Sequence, residues 1–146
     1  MSEITRSIVA DPLSMVKPKR ARFAWDRRVP LGAPTLFAGT GGIGKSTILA
    51  WVISGLSRGS LPGDLEGTPV GVAIIAAEDD TETTLVPRLQ AAEADMESVW
   101  ILNGQAKSAD DTWSEHPTIS GHLPQLKAKL IELGVRVLIV DPVVSM

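Results

Sequence analysis

The sequence predicts an α/β domain with three layers, α/β/α, built on a mainly parallel sheet. Two apolar runs, Val70–Ala76 and Val135–Val140, carry this prediction. Uninterrupted apolar segments of strand length are typical of parallel strands that are covered on both faces. Between these runs lie segments whose apolar residues recur at helical spacing. Strands that alternate with such helices are the pattern of a sheet with helices on its faces.

Length and composition allow one domain and exclude several classes of protein. The chain has 146 residues, of which 44% are hydrophobic, and a net charge of −3. It has no cysteine, which excludes a disulfide framework and a thiolate metal site. His116 and His122 are too few and too loosely spaced for a zinc site. No apolar run reaches the length of a membrane span, and the N-terminus lacks a secretory pattern, so we expect a cytoplasmic protein with no membrane partner.

The N-terminus differs from the rest of the chain. We expect residues 1–22 to form a basic, flexible tail and residues 23–146 to form the domain. Residues 17–28 contain six lysines and arginines against one acid. Such a run is typical of a solvated leader, and a phosphate or DNA contact is the alternative. Trp25 is expected to cover the sheet edge, with base stacking as the alternative.

Strands and helices are predicted in alternation. The strands are expected near 35–38, 70–76, 99–102 and 136–140. The helices are expected near 45–58, 84–94 and 122–133. The first helix has an apolar stripe made of Ile48, Leu49, Val52, Ile53 and Leu56. The last has one made of Leu123, Leu126, Leu130 and Leu133, with Pro124 near its start. Residues 103–117 are polar and are interpreted as a loop.

A glycine-rich segment joins the first strand to the first helix. Residues 39–46, Gly-Thr-Gly-Gly-Ile-Gly-Lys-Ser, fit the phosphate-binding pattern G-x-x-x-x-G-K-[ST]. Glycine permits the tight curl that aims several backbone N–H groups at one phosphate. Lys45 is expected to contact the β- and γ-phosphates of ATP, and Ser46 to bind Mg²⁺. The predicted nucleotide-binding residues are Gly39, Thr40, Gly41, Gly42, Ile43, Gly44, Lys45, Ser46 and Thr47.

Acidic residues follow both apolar runs. Glu78 comes soon after the first and Asp141 directly after the second. Parallel strands bring their carboxyl ends to one sheet edge, which is also the edge that the phosphate loop leaves. There Glu78 is expected to activate the water that attacks the γ-phosphate, and Asp141 to reach the Mg²⁺ shell. Asp79 and Asp80 are expected to cap the next helix instead.

That next helix carries three further predictions. We expect Thr84 to be its N-cap, which places Pro87 in the first turn, where a missing N–H is tolerated. Arg88 is expected to pair with a neighbouring acid rather than to reach the active edge.

With residues 39–47, Glu78-Asp79-Asp80 and Asp141-Pro142, the chain resembles the RecA-like P-loop AAA ATPases similar to the replicative helicase RepA and to DnaB-type helicases, of actinobacterial or phage type. The likeness covers roughly residues 23–146. The resemblance implies phosphate binding by the loop, Mg²⁺ at Ser46 and Asp141, and catalysis by Lys45 and Glu78. It also implies a homo-oligomeric ring that couples ATP hydrolysis to movement along single-stranded DNA.

The resemblance also implies an incomplete sheet. Relatives continue beyond the Asp141 strand with further strands, an arginine finger and DNA-binding loops. One of those later strands lies between the phosphate-loop strand and the Asp141 strand, so we expect the C-terminal strands to be missing and a gap at that position. The sequence leaves open an active ATPase, an inactive nucleotide-binding fragment or regulatory partner of a longer relative, and a RecA-type recombinase. A small-molecule kinase is disfavoured, since no arginine-rich lid segment lies between Gly104 and Gly121.

Overall fold

The computed structural model describes residues 8–76, 79–107, 112–115 and 119–141. Its strands are β1 (Phe23–Trp25), β2 (Val29–Pro30), β3 (Gly71–Ala76), β4 (Val99–Ile101), β5 (Gly104–Lys107), β6 (Thr112–Glu115) and β7 (Val135–Asp141). Its helices are α1 (Lys45–Arg58), α2 (Val86–Ala91) and α3 (Ile119–Glu132). None of the helices in the described ranges is long and apolar enough to cross a membrane.

A three-stranded parallel sheet in the order β4-β3-β7 forms the centre of the fold. Val72 of β3 lies opposite Val99 on one side and Val137 on the other. At the far end of the same ladder, Ala76 lies opposite Asp141. The α/β class and the three predicted strands of this sheet are therefore confirmed.

Both faces of the central strand are covered. Alternate residues of a strand point to opposite faces, and Val72 and Ile74 belong to a core cluster that includes residues of α1 and α2. On the opposite face Ala73 and Ile75 have no exposed surface. α3 packs against β7. Because both faces are covered, β3 has the uninterrupted apolar sequence that predicted it.

The first helix begins and ends at glycines. Gly44 precedes α1 with a φ of +86°, and Gly59 follows it with a φ of +69°. The Gly59 N–H donates to the carbonyls of Gly55 and Leu56, which terminates the helix. The predicted bounds 45–58 are confirmed. Ile48 is an exception to the predicted stripe: it is 43% exposed, because it lies with Trp51 on the outer side of the helix.

The predicted strand at 35–38 is wrong. Among the described residues none pairs with it in a ladder, and Leu36 is 74% exposed. A groove of about 880 Å³ separates residues 29–39 from Arg136–Asp141 of β7. We call it the β7 groove. Apolar sequence favours burial, but a strand needs a neighbour to hydrogen-bond, and here the groove stands where that neighbour would be. The gap expected from the family resemblance is present.

The second helix is shorter than predicted. A π-helical turn at Thr81–Leu85 precedes α2. The N-cap of this turn is Asp80, and Thr84, the predicted N-cap, lies within the turn. The turn begins earlier because the Asp80 carboxylate accepts hydrogen bonds from the N–H and the hydroxyl of Thr83, at 2.8 and 2.7 Å. The prediction that Pro87 lies in the first turn of the helix is confirmed.

Two predictions from the C-terminal half need correction. The polar residues predicted as a loop contain an antiparallel hairpin, with β5 and β6 paired from Gly104–Glu115 to Lys107–Thr112. Polar strands lack the apolar signal by which strands are recognised. α3 is kinked at His122, two residues before Pro124. Leu126 is buried, but Leu123, beside the kink, is 56% exposed and leaves the predicted stripe.

Ile75→Ala tests whether β3 is the centre of the core. Removing a fully buried isoleucine side chain costs about 2–5 kcal/mol, through lost transfer energy and the cavity left behind. The matched substitution Ile8→Ala removes a side chain that is 100% exposed and should change stability very little. Urea unfolding of the two variants provides the comparison. Equal midpoints would contradict the assignment of β3 as the central strand.

Candidate functional site

The glycine-rich loop is shaped by backbone conformations that favour glycine. Gly42 has a φ of +78°. A Cβ built on Gly39 would lie 2.4 Å from Cδ1 of Ile43, but this atom is the free end of a side chain that is 59% exposed and can turn aside. Gly44 closes the curl with a positive φ, a conformation that other residues rarely adopt. The loop therefore returns close to its own starting point before α1 begins.

Lys45 places a positive charge at that point. Its Nζ donates to the carbonyl oxygens of Gly39 and Thr40, at 2.9 and 2.8 Å. The helical ladder starts with the N–H of Ile48, which donates to Gly44. The N–H groups of the preceding turn, with the positive end of the α1 dipole, add to the positive potential of the ammonium. This arrangement suits a phosphate group.

A second group of polar residues meets at the adjacent sheet edge. Ser46, Asp79, Arg88 and Asp141 line one cavity of about 20 Å³, which is room for about one water molecule. Ser46 comes from the first turn of α1, and Asp141 from the end of β7. The β3–β7 ladder places Asp141 beside the end of β3, and α1 packs against β3, which brings Ser46 to the same edge.

The oxygen atoms at this edge suit Mg²⁺. This ion prefers one or two protein oxygens together with phosphate and water, and a hydroxyl beside a carboxylate provides such a set. In the described ranges no group of three or more histidines and acids could hold a metal by itself.

A comparison with known protein families matches residues 2–146 to the family described as the AAA domain. The chain belongs to this family. Its members are P-loop ATPases that generally bind ATP and Mg²⁺, which agrees with the glycine-rich loop and with the oxygen-bearing side chains of Ser46 and Asp141 at the sheet edge. No curated protein and no solved structure gave a significant match.

Asp79 of this AAA domain is an ion-pair partner and not a helix cap, which corrects the prediction. Its carboxylate pairs with the Arg88 guanidinium, as expected for Arg88, and about a third of each side chain is exposed. The pair spans nine residues and joins the end of β3 to α2. It holds both side chains at the cavity beside Ser46 and Asp141. The acid next to Glu78 and the basic residue on the following helix are the sequence signals for it.

Asp80 is a helix cap, as the sequence predicted, but it caps the π-helical turn at Thr81–Leu85 and not α2 itself. The hydroxyl and the N–H of Thr83 both donate to its carboxylate, and they lower the pKa of Asp80 below its ordinary value of 3.8. Asp80 is fully exposed and lies outside the cavity. Its role is to start the turn that carries Arg88 to the site.

The remaining predicted residues divide into two groups. Residues 39–47 all lie in the loop or in the first turn of α1, in one continuous segment. Glu78, the predicted catalytic base, lies outside the described residues, between the end of β3 at Ala76 and Asp79. Its role is therefore argued from its place in the sequence.

Replacing Asp80 should make stability depend differently on pH. At pH 7 we expect Asp80→Ala to unfold at a lower temperature than the wild type, because the Thr83 N–H and hydroxyl lose their acceptor. The folded-state pKa is lowered, so the contribution is fully present above pH 3.8 and is lost as pH falls through the lower folded value.

The unfolding temperatures of Asp80→Ala and the wild type should therefore approach each other as the pH falls. Thermal unfolding of both proteins from pH 7 to pH 2 measures this change. Asp11→Ala, at an exposed position, is the control and should match the wild type throughout. A difference between Asp80→Ala and wild type that stays constant down to pH 2 would contradict the role of the ionised cap.

Proposed function

We propose that this AAA domain is an ATPase of the RepA/DnaB-like helicase class, which couples ATP hydrolysis to work on DNA in replication or transfer. The observation that carries the proposal is that Ser46 and Asp141 line one cavity at the sheet edge, while the preceding residue, Lys45, bonds back to the carbonyls at the start of the glycine-rich loop. The sheet with both faces covered supports a three-layer, RecA-like α/β/α arrangement.

The loop would hold the triphosphate through its backbone. Residues 39–47 would supply N–H groups at the positive end of α1, and Gly42 and Gly44 adopt the positive φ values that the loop requires. The Lys45 ammonium already lies over the start of the loop, bonded to two carbonyls. From there it can exchange those carbonyls for the β- and γ-phosphate oxygens. Its charge then stabilises the charge that develops on the phosphoryl group during transfer.

The metal would be held by Ser46 and Asp141. Both line the cavity at the edge of the sheet, and their oxygens fit the modest number of protein ligands that Mg²⁺ takes. When bound, the ion neutralises phosphate charge and orients the phosphate oxygens. Arg88 keeps the neighbouring carboxylate of Asp79 paired, so that Asp79 does not compete as a ligand.

The general base is proposed to be Glu78. In the sequence it is the first acid after the central strand, and the carboxyl end of a parallel strand is where a ligand site would be expected. Asp79 is already engaged by Arg88, and Asp80 by Thr83, which leaves Glu78 as the acid of this triplet for the attacking water. A carboxylate there would hold the attacking water in line with the γ-phosphate and accept its proton during the attack.

The wider roles belong to the same proposal. They are a cytoplasmic location, a homo-oligomeric ring, and single-stranded DNA as the track. A RecA-type recombinase would share the nucleotide site and differ in its response to DNA. Strong stimulation of turnover by single-stranded DNA, with unwinding of a forked duplex, would favour the helicase class.

A second candidate is a domain that binds nucleotide without turning it over, and that regulates a longer relative. The β7 groove favours it, because residues 33–39 lead into the phosphate loop without a strand beside them in the described structure. Hydrolysis needs catalytic groups held to well within an ångström of their productive positions. Phosphate binding by the curl and by Lys45 tolerates more movement.

Lys45→Ala should abolish the affinity for Mg·ATP and leave the fold intact, because the Lys45 ammonium bonds only to exposed loop carbonyls. With free Mg·ATP at 100 times its Kd, the wild-type protein should gain about 2.7 kcal/mol in its free energy of unfolding. Thermal unfolding with and without Mg·ATP measures both effects. Lys129→Ala on α3 is the control and should keep the full shift. Equal shifts for Lys45→Ala and wild type would contradict the phosphate-loop assignment.

Glu78→Gln should preserve Mg·ATP binding and remove turnover, because the amide keeps the shape of the carboxylate but cannot accept the proton. Phosphate release under single-turnover conditions is the measurement, with Glu82→Gln as a matched control on the adjacent exposed turn. If Glu78→Gln releases phosphate as fast as wild type, Glu78 is not the base. If the wild type binds but releases no phosphate, the second candidate function is correct.

A further inference from the structure

Three aromatic rings from distant parts of the chain meet beside the phosphate loop. The Trp25 and Phe37 rings are stacked, with centroids 6.5 Å apart and an interplanar angle of 7°. Trp51 meets Trp25 edge to face at 5.3 Å. Trp25 comes from β1, Phe37 from the segment before the loop, and Trp51 from α1. We call this group the aromatic cluster.

The aromatic cluster is open to solvent. Trp51 is 50% exposed, and Trp25 and Phe37 are only partly buried. Ile48, one turn before Trp51, is 43% exposed. By contrast, residues 52–57 of the same helix are all buried. A core would enclose such rings, so this exposure is the mark of a contact surface.

A positive charge lies directly against the aromatic cluster. The Arg28 guanidinium lies over the Trp25 ring, 4.8 Å from its centroid. Arg28 belongs to residues 17–28, which hold six basic residues and one acid in a chain of net charge −3. Of these basic residues, Arg20 is fixed to Asp64 at 3.2 Å, which ties the segment to the domain. Phe23 also pairs with Asp64, through its N–H at 2.7 Å. These two bonds attach residues 20–23 to the domain, and Arg28 is the basic residue in contact with a ring.

We propose that the aromatic cluster and Arg28 form a binding surface for single-stranded nucleic acid. Unpaired bases stack on exposed aromatic rings, and arginines beside the rings hold the phosphates. Charge complementarity favours a polyanion, and the half-exposed Trp51 ring favours one with bases over an acidic peptide. A duplex keeps its base faces stacked inside, so a single strand fits better. The role of this contact in DNA work rests on the proposed function.

The surface is built on the elements that hold the phosphate loop. Phe37 stands two residues before Gly39, and Trp51 lies on the helix that begins at Lys45. A strand stacked on the rings would contact both sides of the loop at once. Nucleotide and nucleic acid would then share two structural elements.

The test is fluorescence anisotropy of a labelled 20-nucleotide oligo(dT) with the full chain, over a range of salt concentrations. Trp51→Ala should weaken binding by at least about fivefold, since base stacking on an aromatic ring contributes that much. Trp51→Phe should retain most of the affinity. Arg28→Gln should weaken binding and reduce the slope against log salt by about 0.7, the value for one phosphate contact on a single strand.

Arg58→Gln is the matched control. It removes an exposed arginine at the far end of the same helix, where Arg58 pairs with Glu93 at 3.0 Å. Its oligo(dT) affinity should equal that of the wild type. A thermal unfolding scan of each variant establishes that it is folded, and Arg28→Gln tests the surface without removing a ring.

Three outcomes separate this proposal from the proposed function. No oligo(dT) binding by a wild type that still binds Mg·ATP overturns the surface and leaves the nucleotide site standing. Binding that depends on Arg28 but is unchanged in Trp51→Ala, and is matched by polyglutamate, indicates a plain polyanion contact and also overturns it. Binding that depends on Trp51 in a protein without Mg·ATP affinity supports the surface and contradicts the ATPase.

Discussion

The pairing of β3 with β7 is the constraint on which the site depends. It is the longest ladder of the described structure and sets Ala76 beside Asp141 at its carboxyl end. Without that register, the acid at the end of β7 and the acids after β3 would have no reason to meet. The ladder is held in turn by burial, since Val72 to Ile75 are the least exposed residues of the sheet. The core thus determines where the charges lie.

The phosphate loop is held in a different way. In the described structure the segment before the loop has no ladder partner, and the β7 groove lies where one would stand. Its position depends on α1, on the bonds from Lys45 to two loop carbonyls, and on the stacking of Phe37 against Trp25. Side-chain contacts therefore replace backbone hydrogen bonds on this side of the site. Such contacts fix a loop less firmly than a ladder does.

The sequence predicted the features that depend on local pattern. The loop, the bounds of α1 and the acid at the end of β7 follow from residues close together in the chain. The strand at 35–38 was wrong, since apolar residues indicate burial without saying which neighbour provides it. The paired strands β5 and β6 were not predicted, because polar strands carry no apolar signal. The aromatic cluster joins residues up to 26 positions apart, so no local pattern could indicate it.

The two halves of the site thus have different requirements. In the proposed mechanism, phosphate binding would draw on contacts within residues 39–48, where the glycine conformations, the Lys45 ammonium and the helix terminus are all present. Catalysis needs in addition a fixed distance between the loop and the acids after β3 and β7. One end of that distance is a loop that side-chain contacts hold in place, and the other end is a pair of strands that backbone hydrogen bonds hold in place. Whatever steadies residues 33–39 against β7 would therefore raise turnover more than affinity, because only the transition state requires both halves in register.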